Sequence, residues 1–359
     1  MKKIGVISIS VKGMELGDKI YNLSGKKVER LTISNLNKDG WVADFNKLTS
    51  LMKDVFHRYD GIILIMSAGI AVRVISPYIN KKNIDPAVVV MDEKGKYIIS
   101  LLSGHLGGAN KLTKELAQLT GGHPVITTAT DINSLNAVDA LALKWKMDIE
   151  PIENIVFFNK ALLHGHKYTF WADKDLQITD IDQEVKNFKE YSAGNNTWNV
   201  IISNKKCNNL IGSNNIFLRP RNIMLGVGCK KNFPSEKFRN VVEKFLNEND
   251  LSIKSLGALA TIDIKKEEKA ILDLAQLLKI PLFVYSKEEL NSCYEKFPFL
   301  KKSQFVYRTV NTLGVCEPAA LLAAQNHTLL INKTSIEGVT LAVAEIKVLS
   351  LAKEFCWFE

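Results

Sequence analysis

The stretch "AVVVMDEKGKYIISLLSGHLGGANKLTKELA", residues 87–117, decides the fold. Two apolar runs flank Glu93-Lys94-Gly95-Lys96, the composition of a hairpin turn, and a glycine-bearing loop then leads into apolar residues at helical spacing. The pattern predicts a strand ending near Leu102, a helix over 109–119, and between them a loop holding Ser103, His105, Gly107 and Gly108. A loop between strand and helix is expected outside the carboxyl end of the strand, where α/β proteins place their sites.

Working outward, residues 3–10 read as a first strand, 48–59 have helical spacing, and "GIILIMSAG" at 61–69 is a buried strand running into small residues. A strand follows at "HPVITTA" and a helix over 137–146. Strands alternating with helices define an α/β domain. From 150 to 222 the pattern weakens into aromatic and Asn-rich segments such as "KYTFWADKD" and "TWNVIISN". Periodicity returns with the strand "NIMLGVGCKKN", the helix "PSEKFRNVVEKFLNEN", a second strand–helix unit over 253–279, the strand "PLFVYS", the helix "EPAALLAAQ" and a closing strand pair. The expected architecture is multi-domain α/β: an amino-terminal α/β domain over 1–135, a smaller irregular α+β middle region over 136–221, and a carboxy-terminal α/β domain over 222–359.

Composition narrows the function classes. No apolar run approaches the roughly 18 residues needed to span a bilayer, and "MKKIGVISISVKG" reads as a strand, not a signal peptide. Five cysteines, widely spread and never in C-x-x-C pairs, give neither a disulfide framework nor a zinc cluster, so a reducing cytoplasm is expected. The net charge of +9 attracts polyanions, yet the basic residues are scattered Lys pairs without the dense patch or module of a nucleic-acid reader. Nucleic acid and membrane are therefore not expected partners.

Three loops carry candidate chemistry. In the first, Gly107 and Gly108 expose backbone amides before a helix, with Ser103 and Asn110 beside them, a setting for a carboxylate or a developing oxyanion. His105 can exchange a proton near neutral pH, since an unperturbed imidazole titrates near 6.5. In "SAGIAVRVISPYI", Ser67 and Gly69 make a turn, and Arg73 either forks onto a ligand carboxylate or pairs with a surface acid. In "PVITTATDIN", Thr127, Thr128 and Asp131 either bind ligand oxygens or, for Asp131 above all, cap the next helix. Three small, polar loops at strand ends suggest one convergent site. In the last domain Gly226 and Cys229 follow a strand, while Cys316 and Glu317 enter an Ala-rich helix whose dipole favours an acid there. Without an identifiable base both cysteines read as inert. His57 and His123 read as structural, and His164-x-His166 is too little for a metal site.

In order, "SAGIAVRVISPYI", "DPAVVVMDEKGKYIISLLSGHLGGANKLTKELA", "PVITTATDIN", "LGVGCKKN" and "GVCEPAALLAA" resemble the cobalt-precorrin-5A hydrolase (CbiG) family of anaerobic cobalamin biosynthesis. The resemblance spans nearly the whole chain and is weakest in the middle. It implies opening of a δ-lactone on a polycarboxylated cobalt-corrinoid substrate, with loss of a two-carbon unit as acetaldehyde. Cobalt then belongs to the substrate, no cofactor is expected, and the basic charge has a small-molecule explanation. For that chemistry His105 is the expected general base and Glu317 the second acid/base candidate, the latter through a cleft between the first and last domains. Ser67, Gly69, Arg73, Ser103, Gly107, Gly108, Asn110, Thr127, Thr128, Asp131 and Gly226 are the expected substrate contacts. A homodimer is the expected assembly. Two other classes stay open: a non-catalytic corrinoid carrier, and a nucleotide-using transferase or ligase.

Overall fold

A computed structural model describes residues 3–36, 38–81, 84–129, 135–179, 185–187, 191, 197–210, 212–304, 307–308, 311–325, 328–350 and 358. The chain divides into two compact units, the first running to Leu143 and taking in Phe358, the second beginning at Lys144.

The first unit contains β1 (Ile4–Ser8), α1 (Val11–Leu23), β2 (Val28–Ile33), β3 (Val42–Phe45), α2 (Leu48–Val55), β4 (Gly61–Ile65), α3 (Ala68–Ile75), β5 (Ala87–Met91), β6 (Tyr97–Leu102), α4 (Ala109–Thr120), β7 (His123–Val125) and α5 (Val138–Lys144). They build a seven-stranded sheet of order β3-β2-β1-β4-β5-β6-β7. α1 and α4 cover one face, packing Met14, Ile20, Leu112 and Leu116 on Ile4, Val6, Ile63 and Val89. The other face packs Leu51, Met52, Val55 and Val74 of α2 and α3 on Ile7, Ile62, Leu64 and Val90. Burial on both faces explains why β4 and β5 are unbroken apolar runs and do not alternate. Each large apolar side chain buried this way contributes roughly 1.5–3 kcal/mol.

Strands β1 to β5 pair in parallel. β6 does not: the tight turn after β5 reverses the chain, so β6 is antiparallel to β5, with Val88 opposite Leu102 and Met91 opposite Ile98. The Asp92 carboxylate fastens the turn by accepting the amides of Lys94 (2.9 Å) and Tyr97 (2.6 Å). Burial acts to raise the Asp92 pKa, but these amide bonds outweigh it and hold the group below its ordinary value. β7 then runs parallel to β6. The loop that leaves β6 therefore lies level with the amino ends of β1, β4 and β5. The expected strand, loop and helix are all present, at the opposite edge from the carboxyl ends of the parallel strands.

The second unit holds two five-stranded sheets. One contains β8 (Asp148–Glu150), β9 (Tyr168–Ala172), β11 (Val185–Asn187), β12 (Trp198–Ile202) and β13 (Asn215–Arg219), in the order β11-β9-β12-β13-β8, parallel except for β8; α6 (Ile155–Leu163) follows β8 in the chain. This middle region is more regular than its sequence suggests. Its asparagines sit inside the sheet and bond one another: Asn199 Nδ2 donates to Asn215 Oδ1 (2.9 Å), and Trp171 Nε1 donates to Asn199 Oδ1 (3.0 Å). Polar residues in strand interiors erase the apolar signal without breaking the strand.

The other sheet contains β14 (Ile223–Cys229), β15 (Leu256–Ile262), β16 (Leu282–Tyr285), β17 (Thr328–Ile336) and β18 (Val339–Glu345), ordered β16-β15-β14-β18-β17. α7 (Ser235–Glu248) and α8 (Lys269–Leu278) pack on one face, α9 (Lys287–Lys296) and α10 (Cys316–Ala323) on the other. A short parallel pair joins β10 (Gln177–Thr179) to β19 (Val348–Ser350). Arg219, 1% exposed, bonds Glu150 (2.9 Å) and the carbonyls of Ser203 (3.0 Å), Lys205 and Lys206 (3.3 Å). Among the described residues no helix is long and apolar enough to cross a membrane.

Candidate active site

The turn from β6 into α4 is tightly self-bonded. Ser103 takes a left-handed backbone (φ 57°), as does Gly108 (φ 86°). Between them the chain folds so closely that a Cβ on Gly107 would lie 2.4 Å from Ser103 Cβ and 2.7 Å from its carbonyl oxygen. The Gly108 amide bonds the His105 carbonyl (2.8 Å), Ala109 the Ser103 carbonyl (3.1 Å) and Asn110 the Gly104 carbonyl (3.0 Å). These three amides are used inside the turn.

His105 projects from this turn against α5. Its Nδ1 is 3.1 Å from Asp139 Oδ2, and the two side chains are only 11% and 6% exposed. The Asp139 carboxylate is placed to accept Nδ1–H, the tautomer that puts the imidazole lone pair on Nε2. A histidine oriented by a buried acid is the base-and-orienter half of a hydrolytic site. Asp139 escaped the sequence reading because an acid in the first turn of a helix already has a local explanation; its distance from His105 along the chain gives no spacing signal.

The surrounding polar groups belong to the same edge. Asn110, buried, accepts from Ser100 Oγ (2.6 Å) and donates to Thr128 Oγ1 (3.1 Å), tying the end of β6 to the segment after β7. Thr127, next to Thr128, is exposed. The Ser103 hydroxyl oxygen is shielded from solvent and has no hydrogen-bond partner among the described residues. Asp131 lies outside the described residues.

The other expected contacts are elsewhere. Ser67 and Gly69 follow the carboxyl end of β4, with Arg73 one turn on, all three exposed. The six-residue step from 61 to 67 spans about 20 Å at about 3.3 Å per residue, so these residues and His105 occupy opposite edges of the sheet. The single convergent site read from three loops thus resolves into two edges, because β6 is reversed. In the second unit, Gly226 has a packing role: a Cβ there would sit 1.8 Å from the Cys316 carbonyl oxygen, at the start of α10. Glu317 is buried and its Oε1 accepts the Lys333 amide (2.9 Å), pinning β17 to α10. Burial pushes the Cys229 thiol up to about 11 and raises Cys316 as well, so neither is a ready thiolate. Among the described residues no three His, Cys, Asp or Glu side chains are grouped to hold a metal ion.

A doubly wound α/β unit in which a histidine on a glycine-rich turn meets a buried acid on a neighbouring helix has the make-up of an α/β enzyme site able to move a proton. Comparison with known proteins gives this class its place. Residues 50–131 match the family model described as cobalamin synthesis G N-terminal, and 223–344 match cobalamin synthesis G C-terminus. The chain is 34% identical over 307 residues to the cobalt-precorrin-5A hydrolase of Priestia megaterium, covering 82% of this chain and 81% of that protein. With the cobalt-precorrin-5A hydrolase of Salmonella typhimurium it shares 32% identity over 325 residues, 87% of this chain and 89% of the other. The crystal structure of a cobalamin biosynthesis protein G homolog from Sulfolobus solfataricus aligns over 96% of this chain and 97% of that one, at 24% identity and a TM-score of 0.40. The chain belongs to the cobalt-precorrin-5A hydrolase (CbiG) family.

Proposed function

We propose that the protein opens the δ-lactone of cobalt-precorrin-5A and releases the two-carbon unit as acetaldehyde, with His105 as the proton carrier. The observation that carries the assignment of the site is the His105–Asp139 bond at 3.1 Å. In lactone opening, His105 Nε2 removes a proton from water as the water oxygen attacks the lactone carbonyl. Loop amides before Gly108 face the oxyanion. Collapse of the tetrahedral species expels the ring oxygen, which takes the proton back from Nε2 and becomes an alcohol. Nε2, neutral again, then removes the alcohol proton; the oxygen electrons form the aldehyde C=O as the carbon–carbon bond to the macrocycle breaks, and the electron pair passes into the ring. Throughout, Asp139 holds Nδ1–H and offsets the imidazolium charge.

The same reading makes cobalt part of the substrate and asks for no nucleotide, redox cofactor or added metal. Cytoplasmic location and a homodimer complete it, the latter checked by light scattering. Its test is acetaldehyde, reported by a coupled alcohol dehydrogenase: one per macrocycle is expected from purified protein. His105→Gln should fold and bind yet lose about 10²–10⁴-fold in turnover. A folded wild type that binds the macrocycle and releases nothing would favour a carrier. Full activity in His105→Gln would move the base elsewhere, with Glu317→Gln the next variant.

A further inference from the structure

The amino ends of β1, β2 and β3 border an open cleft of about 630 Å³ on the sheet edge that carries the His105 turn. Lys3, Tyr21, Lys26, Lys27, Glu29 and Arg30 supply its polar and aromatic lining. Its charges are unequally committed. Arg30 lies over the Tyr21 ring, 3.9 Å from the centroid, and is neutralised by Asp18, which also binds Lys38 (2.7 Å) and Trp41 Nε1 (2.9 Å). Lys3 shares its charge with Glu29 (3.5 Å), whose carboxylate also accepts the Tyr59 hydroxyl (2.6 Å). Lys27 donates to a neutral group, the Phe358 carbonyl (2.6 Å), and makes no ion pair among the described residues. Lys26, exposed in the turn before β2, makes no ion pair among the described residues. Two adjacent ammonium groups thus face a concavity whose remaining walls are Ile4, Val28, Gly40 and Val42. Aliphatic and aromatic walls with two point cations suit carboxylate arms carried on an apolar frame.

The cleft and the His105 turn are separated by the four strand spacings from β2 to β6, about 19 Å at about 4.8 Å each. We propose that the cleft is a carboxylate subsite, in which Lys26 and Lys27 hold arms of the polycarboxylated macrocycle remote from the lactone at His105. This rests on the hydrolase reading above, and it gives the two lysines a part in affinity and none in chemistry.

The test is fluorescence titration of the full chain with uroporphyrin III, a polycarboxylated tetrapyrrole, comparing wild type with Lys26→Gln/Lys27→Gln. Affinity should fall about tenfold at low salt, and the difference should shrink as ionic strength rises. Lys26→Gln alone, which breaks no side-chain bond among the described residues, should lose about threefold and keeps the test valid if loss of the Phe358 contact disturbs the double variant. Removing two exposed charges from the second unit, with Lys237→Gln/Lys269→Gln, should leave affinity within about twofold. Equal affinity in the lysine variants, or an equal loss in the control, overturns the subsite. Acetaldehyde release separates the two ideas. If wild type turns over and the lysine variants show unchanged KM and probe affinity, the subsite fails and the hydrolase reading stands. If wild type releases none yet binds the probe through these lysines, the reverse holds.

Discussion

Asp139→Asn tests whether the buried acid does the work assigned to it. The carboxylate lies 3.1 Å from His105 Nδ1, with side-chain exposures of 6% and 11%, so bulk water has little access to replace it. Asparagine keeps the size, but its amide can donate to Nδ1. The imidazole then carries its proton on Nε2, where the reaction needs a lone pair. Inverting the tautomer of an oriented histidine costs up to about 10⁴-fold in turnover elsewhere, and about 10³-fold is expected here, equivalent to about 4 kcal/mol at 1.36 kcal/mol per decade. KM should stay within about threefold, because the role assigned to Asp139 runs through His105. Acetaldehyde release across pH supplies the readout that a merely structural role would not move. Any acid limb of the wild-type profile that reports the Nε2 proton should shift or vanish in the variant. Thermal melting checks the fold. An Asp139→Asn protein that melts normally and keeps kcat within tenfold of wild type would falsify the orienting role, whatever His105→Gln does.

Other consequences concern the scaffold. Gly107→Ala places a methyl group 2.4 Å from Ser103 Cβ; a loss of about 1–3 kcal/mol in urea unfolding is expected, with a fall in acetaldehyde release beyond what the lost folded fraction explains. Arg219→Met removes a buried guanidinium and strands the carbonyls of Ser203, Lys205 and Lys206, and should cost about 3 kcal/mol by the same measurement; an unchanged midpoint would contradict this. Burial works to raise the Asp18 pKa, but bonds from Lys38, Trp41 and Arg30 outweigh it and hold it below 3.8. Its stabilising contribution is therefore full above that value and is lost as pH falls through the lower folded one. Asp18→Asn should be less stable at neutral pH and flatter in acid unfolding below pH about 4; parallel acid curves would contradict it.

Much of the fold was legible because both faces of the first sheet are covered. Ile62 to Ile65 and Val88 to Met91 are wholly buried and read as unbroken apolar runs. The Asp92 turn, the loop and α4 were also legible, since turn chemistry and helical spacing are local. What a sequence does not print is strand direction. The tight turn implied an antiparallel β6, but only the sheet order shows which edge the next loop then reaches. His105 was found by residue type, and Asp139 was missed because their bond joins two elements that no periodicity links. The middle sheet was underread for a different reason: Asn199 and Asn215 satisfy each other inside it, so burial there carries no apolar signature.

The reversal of β6 changes what Arg73 is expected to do. From the sequence alone, Arg73→Gln should weaken substrate binding, since its loop and the His105 turn both follow strand ends. In the fold, Ser67 lies beyond Ile65, which is level with Met91 and so with Ile98 at the start of β6, while Ser103 lies beyond its far end. The Arg73 guanidinium also folds back toward the start of α3, where it would lie 3.9 Å from a Cβ on Gly69. It stays at the edge opposite His105, about 20 Å away along the strands. A macrocycle lying along the edge that carries both the His105 turn and the lysine cleft leaves Arg73 a strand length away, more than two Debye lengths of about 8 Å at physiological ionic strength, so the loss of this one exposed charge is largely screened. Arg73→Gln should therefore leave KM within about twofold of wild type, whereas Lys26→Gln/Lys27→Gln on the near edge should raise it severalfold. A KM that rises more in Arg73→Gln than in the lysine pair would show that the substrate binds at the carboxyl ends of the parallel strands, and would take His105 out of the reaction.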